Sequence, residues 1–181
     1  MTPDARGSLP DGPGTSEGSG KGAGPGGGQA GDPGGAPRIF TPEYYRRMDA
    51  LEADAWWNAG MRDIAGLILD RASLPDRGTA VDVGCGTGRT LAWLRGRLPG
   101  WRAVGVDLAP EGLAMARERA GAGTGLVRAD ARTLPLPADF AELAVSFDVL
   151  QHLPLDGGDA AALDELARLV RSGGHVLLRT N

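Results

Sequence analysis

The first ordered pattern along the chain begins at Thr41-Pro42-Glu43. A capping hydroxyl, a proline at the first helical position and an acid in the first turn predict a helix start. Apolar positions Met48, Leu51 and Ala55, then Ile64, Leu67 and Ile68, recur at intervals of three and four, so the run to Leu74 reads as helical. Gly60 is expected to separate two helices, and Leu74-Pro75-Asp76-Arg77-Gly78 to form a turn. After that the period changes. Five short apolar runs, "TAVDVG", "WRAVGVDL", "GLVRAD", "ELAVSFD" and "HVLLRTN", read as strands. Between them "RTLAWLRGRL", "APEGLAMARERA" and "DAAALDELARLVR" read as helices. The last has Leu163, Leu166 and Val170 on one face and is expected to end at Ser172-Gly173-Gly174.

Strands alternating with helices predict an α/β fold with a parallel sheet covered on both faces. Right-handed crossovers make such a sheet doubly wound. Ligands of these sheets lie beyond the carboxyl ends of the strands. Four successive strand ends each carry an acid: Asp82, Asp107, Asp130 and Asp148. One such residue is ordinarily a cap or turn former. Four in register with the expected ligand edge mark a candidate site.

Composition divides the chain. Residues 1–37 hold 13 Gly and 6 Pro, no aromatic residue and a single leucine, Leu9. That stretch is expected to be a disordered tail, because it cannot bury enough apolar surface to offset its ordering entropy. Residues 38–78 are expected to form N-terminal helices and 79–181 the core domain. The net charge of −4 splits evenly between tail and remainder, and no basic face is apparent, so a nucleic-acid partner is not expected. One cysteine, Cys85, permits no intrachain disulfide, and two histidines, His152 and His175, make a metal site unexpected. No apolar run reaches membrane-spanning length and no secretory h-region follows the start, which together imply a cytoplasmic chain without a membrane partner.

The stretch "TAVDVGCGTGRT" carries the sharpest chemical signal. A nucleotide P-loop needs Lys-Ser/Thr after its last glycine, and Arg89-Thr90 stand there instead. The dinucleotide fingerprint needs a glycine in sixth place, which Arg89 (from Gly84) and Leu91 (from Gly86) do not supply. The pattern present is Asp-x-Gly-x-Gly-x-Gly, from Asp82 to Gly88. Helix-terminal amides favour an anion and Asp82 repels one, so the turn suits a ligand bearing both signs. Asp107, at the end of the second strand, can accept ribose hydroxyls and disfavours a 2′-phosphate. An amino-acid end plus an unphosphorylated ribose describes S-adenosylmethionine better than NAD, which stays the remote alternative.

With these motifs the sequence resembles a class I S-adenosylmethionine-dependent methyltransferase of the broad small-molecule type. "VDVGCGTG", "VGVDLAP", "RADARTLPLP" and "VSFDVLQHL" are similar to the family's first four motifs, and "LARLVRSGGHVLLRTN" to the segment leading into strand five. "LEADAWWNAGMRD" looks like the Trp-Trp segment of one subgroup, which usually has a histidine where Ala55 stands. The resemblance implies a Rossmann-like core with strand order 3-2-1-4-5. It implies that Asp82 and the turn Gly84, Cys85, Gly86 and Gly88 bind the methionine part, Asp82 through its ammonium. Asp107 would bind the ribose hydroxyls and Leu108 flank the adenine. Asp130 and the Ala131 amide would meet the adenine edge, and Phe147 and Asp148 would lie near the sulfonium. For Asp130 a turn-forming role stays open, and for Asp148 a helix N-cap.

A sulfonium methyl is electrophilic, so the enzyme's main task is alignment of an acceptor with the S–CH₃ bond. His152 is the candidate general base, against a purely structural role in a helical turn. His175 reads as an ordinary strand residue, and Cys85 as a small residue in a tight loop. No Asn/Asp-Pro-Pro-aromatic motif follows the fourth strand, which disfavours amino-methylation of nucleic-acid bases. Cytosine C5 methylation needs a cysteine nucleophile there, and none is present. The family's last two strands have no counterpart before Asn181, so the expectation is a truncated chain with an incomplete acceptor pocket. The alternative function is a non-catalytic cofactor-binding or interaction domain of the same fold.

Overall fold

The computed structural model describes residues 41–54, 56–154 and 156–180. The expected tail, residues 1–37, and any role of position 55 lie outside them. Contacts divide the chain between Gly35 and Ala36, and every described residue falls on the C-terminal side.

The predicted strands form β1 (Thr79–Val83), β2 (Arg102–Asp107), β3 (Gly125–Arg128), β4 (Ala141–Phe147) and β5 (Val170–Arg179). They pair as one sheet in the order β3-β2-β1-β4-β5, and every pairing is parallel. Helices α1 (Pro42–Asp54), α2 (Trp56–Leu69), α3 (Arg89–Arg97), α4 (Pro110–Ala120) and α5 (Gly158–Leu169) flank it, with a 3-10 turn at Leu150–His152.

Alternation along the strands decides which helix covers which face. Val81, Val83, Val104 and Val106 pack with Ala144 against Leu166 and Leu169 of α5 and Leu134 of the loop after β3. The opposite face presents Ala80, Leu143 and Val145 to Leu69 of α2 and Leu94 of α3. On the same side Ala103 meets Leu91 and Ala120. Both faces are covered, which is why β1, β2 and β4 read as continuous apolar runs.

Three local expectations are corrected. Helix α1 ends at Asp54 and α2 begins at Trp56, and Gly60 lies inside α2. A Cβ at Gly60 would meet nothing within 4 Å, so the glycine faces open space; its cost in a helix interior, about 1 kcal/mol, does not interrupt the run. The buried face of α5 carries Ala162, Leu166 and Leu169, while Leu163 is 40% exposed. Val170 already belongs to β5. Ser172-Gly173-Gly174 therefore does not terminate the helix. It bulges out of β5, because Ala141 pairs with Val170 but Leu143 pairs with His175. Gly173 has φ +77°.

β5 pairs on one side only and exposes Val176 and Leu178, as expected of a terminal strand in the sheet. Among the described residues no helix is long and apolar enough to cross a membrane.

Candidate functional site

Beyond the carboxyl ends of the strands lies a cavity of about 530 Å³. Its floor is the turn after β1. Gly84, Gly86 and Gly88 have φ of +80°, +48° and +80°. The amides of Gly84 and Cys85 both donate to the Val106 carbonyl, at 2.7 and 2.9 Å, which ties the turn to β2. Two of the glycines are required sterically as well as conformationally. A Cβ on Gly84 would overlap Val149 Cγ2 at 2.1 Å, and one on Gly88 would stand 2.6 Å from Ala116 Cα. Gly84, Cys85 and Gly86 line the cavity; Gly88 instead lets α4 approach the start of α3.

Asp82 lies beneath this floor rather than on the cavity wall. It is 1% exposed, and its Oδ2 has no hydrogen-bond partner among the described residues. Burial, reinforced by Asp107 and Glu52, pushes its carboxyl up to about 8. An unpaired buried acid of this kind is costly unless a cation comes to it. Burial and the same two aspartates, Asp82 and Asp107, also raise the Cys85 thiol, so it is no thiolate nucleophile.

Asp107 closes the end of β2. Its Oδ2 accepts the Gly86 amide at 2.8 Å, and its Oδ1 accepts the Ala109 amide at 2.9 Å and the Tyr45 hydroxyl at 3.3 Å. Leu108 follows on the cavity wall with its side chain exposed. After β3, Asp130 and Ala131 reach the same cavity. Asp130 Oδ1 accepts the Arg132 amide at 2.9 Å, and its carbonyl accepts the Thr133 amide, so it does form a turn. The Arg132 guanidinium grips the same carboxylate and holds it below its ordinary range.

After β4, Phe147, Asp148 and His152 complete the wall. Asp148 is not a helix cap. Val149 precedes the 3-10 turn, and Asp148 (φ +57°) is ion-paired with Arg179 at the end of β5. The Arg179 guanidinium lies over the Phe147 ring, 5.0 Å from its centroid. His152 is exposed at the rim, and His175 lies within β5 opposite Leu143.

The sequence reading missed the fourth wall, which is α1. Tyr44, Tyr45, Met48 and Glu52 line the cavity. Asp49 binds Arg89 (2.8 Å) and Arg119 (2.7 Å), while Glu52 accepts the Thr87 hydroxyl at 3.2 Å. Three elements thus fasten α1 over the glycine turn. Asp49, Glu52 and Arg89 stand in the sequence as ordinary surface charges of helices, and only Tyr44-Tyr45 hinted at burial. The subgroup's tryptophans, Trp56 and Trp57, are exposed at the start of α2 and stay off the wall.

A methyltransferase-domain family model matches residues 81–178. The chain is similar to trans-aconitate 2-methyltransferase of Azoarcus sp. strain BH72, 40% identical over 107 residues that cover 59% of this chain and 40% of that one. It is similar to the tRNA (carboxymethyluridine(34)-5-O)-methyltransferase of Arabidopsis thaliana, 33% identical over 106 residues covering 59% of this chain and 24% of that one. The fold is shared with a candidate S-adenosyl-L-methionine-dependent methyltransferase from Methanococcus maripaludis, with TM-score 0.67, 20% identity, and coverage of 80% and 66% of the two chains. The chain spans between 16 and 60% of the length of the curated relatives it matches.

Proposed function

The chain belongs to the class I S-adenosylmethionine-dependent methyltransferases, and from this premise we propose that it binds that cofactor and methylates a small-molecule acceptor. The observation that carries the reading is Asp82: a fully buried carboxylate with an unpaired oxygen beneath a glycine turn. That arrangement fits the ammonium of an amino-acid ligand, which favours the ionised acid, and offers nothing to a bare pyrophosphate. When bound, the cofactor supplies an electrophilic methyl on a positively charged sulfur.

The chain's own groups then do three things. The turn of Gly84, Cys85 and Gly86 seats the methionine end, and Asp82 beneath it supplies the negative charge for the ammonium; the amides of these three turn residues are bound to Val106 and Asp107. Gly88, behind the wall, sets the turn. Asp107 takes the ribose, beside Leu108, while Asp130 and the Ala131 amide take the adenine edge. Phe147 and Asp148 stand on the acceptor side, and His152 at the rim accepts the proton that an oxygen or nitrogen acceptor gives up.

Charge favours a small acceptor over a nucleic acid. The arginines of the cavity wall are each neutralised: Arg89 by Asp49, Arg132 by Asp130 and Arg179 by Asp148. Binding a phosphate backbone needs uncompensated basic charge.

Calorimetric titration with the cofactor and with its demethylated product, S-adenosylhomocysteine, tests binding. Turnover is then assayed over a panel of small acids, phenols and amines, with unmodified tRNA alongside. Micromolar binding with turnover of a small acceptor is the expected result. Turnover of tRNA alone would overturn the acceptor class. Binding without turnover on any acceptor would assign the chain to the non-catalytic alternative. His152→Ala should lower turnover while leaving cofactor affinity unchanged.

A further inference from the structure

If the cavity takes the adenosyl cofactor as proposed above, the surroundings of Asp107 fix how its ribose is held. A vicinal diol offers two donors, and a carboxylate has about four acceptor positions. Three of them are filled: the Ala109 amide and the Tyr45 hydroxyl on Oδ1, and the Gly86 amide on Oδ2. One position remains, on Oδ2. Asp107 alone therefore cannot serve both hydroxyls.

Tyr45 supplies what is missing. Its side chain is 3% exposed, yet it belongs to the cavity wall. The ring is wedged between α4 and the glycine turn: its Cε1 lies 2.9 Å from where a Cβ on Gly112 would stand and 3.8 Å from one on Gly86. The phenol is thus fixed by packing, with its proton directed to Asp107 and its oxygen lone pairs left over. We propose that Tyr45 is the second half of the ribose site, so that Asp107 Oδ2 accepts one hydroxyl and the phenol oxygen accepts the other. Burial and the neighbouring Asp107 keep this phenol protonated, as the role requires. Helix α1 then sets ligand selectivity directly.

The test is a thermodynamic cycle on the full chain. Wild type and Tyr45→Phe are titrated with S-adenosylhomocysteine and with its 2′-deoxy and 3′-deoxy analogues. Tyr45→Phe should weaken the parent ligand roughly threefold to tenfold. It should leave the affinity for one of the two deoxy analogues at its wild-type value, because the partner hydroxyl is already gone. Equal weakening of all three ligands would overturn the proposal, since it would show that Tyr45 acts only through the placement of α1. An unchanged affinity for the parent ligand would overturn it too. Wild type that binds none of the three would sink both this inference and the cofactor reading; wild type that binds, with a flat response to Tyr45→Phe, would sink this inference alone.

Discussion

The Gly86 amide donates to Oδ2 of Asp107 at 2.8 Å, joining the turn after β1 to the end of β2 across 21 positions of sequence. The two motifs that announce the site are therefore one hydrogen-bonded object. The acid orients the turn, and the turn uses up part of the acid's accepting capacity.

Asp107→Ala should consequently fail twice. It removes the proposed ribose acceptor, and it leaves the buried amides of Gly86 and Ala109 without their partner. Cofactor affinity should fall by about 1–3 kcal/mol and folding stability by a similar amount. Titration calorimetry and urea denaturation measure the two losses separately. Lost affinity at unchanged stability would mean that the amides find other partners.

The Asp82 carboxyl gives a pH prediction with a definite sign. Its folded value is about 8, against an ordinary 3.8. The native state therefore holds a proton that the unfolded chain releases. The stabilising contribution is complete below 3.8 and is lost as pH rises through about 8. Urea midpoints should decline across that window, and Asp82→Asn should flatten the decline. A ligand ammonium favours the ionised acid, so cofactor binding at pH 7 should expel a proton. Binding enthalpies in phosphate and Tris buffers should differ for wild type and coincide for Asp82→Asn.

Gly88→Ala should be among the most damaging single-methyl changes in the chain. The residue has φ +80°, and the new methyl would stand 2.6 Å from backbone Ala116 Cα. Left-handed strain and overpacking add, for a loss of about 2–4 kcal/mol. Chemical denaturation reads it. Gly96→Ala, where a Cβ meets nothing within 4 Å, is the internal control and should be stabilising or neutral.

Asp49→Ala should release α1 without unfolding the sheet. Asp49 holds both Arg89 and Arg119, from two different helices. Amide hydrogen exchange should rise across residues 42–54 and stay unchanged in β1 and β4. Global stability should fall by only about 1 kcal/mol, because these charges are partly solvated.

The elements that sequence made legible are those whose signal is local. Strand periodicity placed all five strands, and the spacing of Asp82, Gly84, Gly86, Gly88 and Asp107 pointed to the edge of the sheet where the cavity lies. What escaped was set by tertiary contact. Gly60 gave a breaker signal that open solvent rendered harmless. Leu163 looked like core by its period, but Ala162 carries the buried stripe of α5. Tyr45 and Asp49 could not be read as site residues, since their roles arise only when α1 docks on a turn some forty residues away. Asp82 is expected to be a contact residue; its place inside the strand "TAVDVG" was legible, but its burial beneath the cavity floor was not.

The bulge at Ser172-Gly173-Gly174 has a consequence for insertion and deletion. It sets the phase of everything after it in β5. Leu177 turns toward the Val145 core, and Arg179 follows on the same side to reach Asp148 and Phe147. Val176 and Leu178 take the other side. Removing a single residue from the bulge would exchange these two sets. The cavity would lose Arg179 and the core Leu177, although neither residue had been changed. Removing two would restore the alternation. Within this short segment, parity of length matters more than identity of side chain.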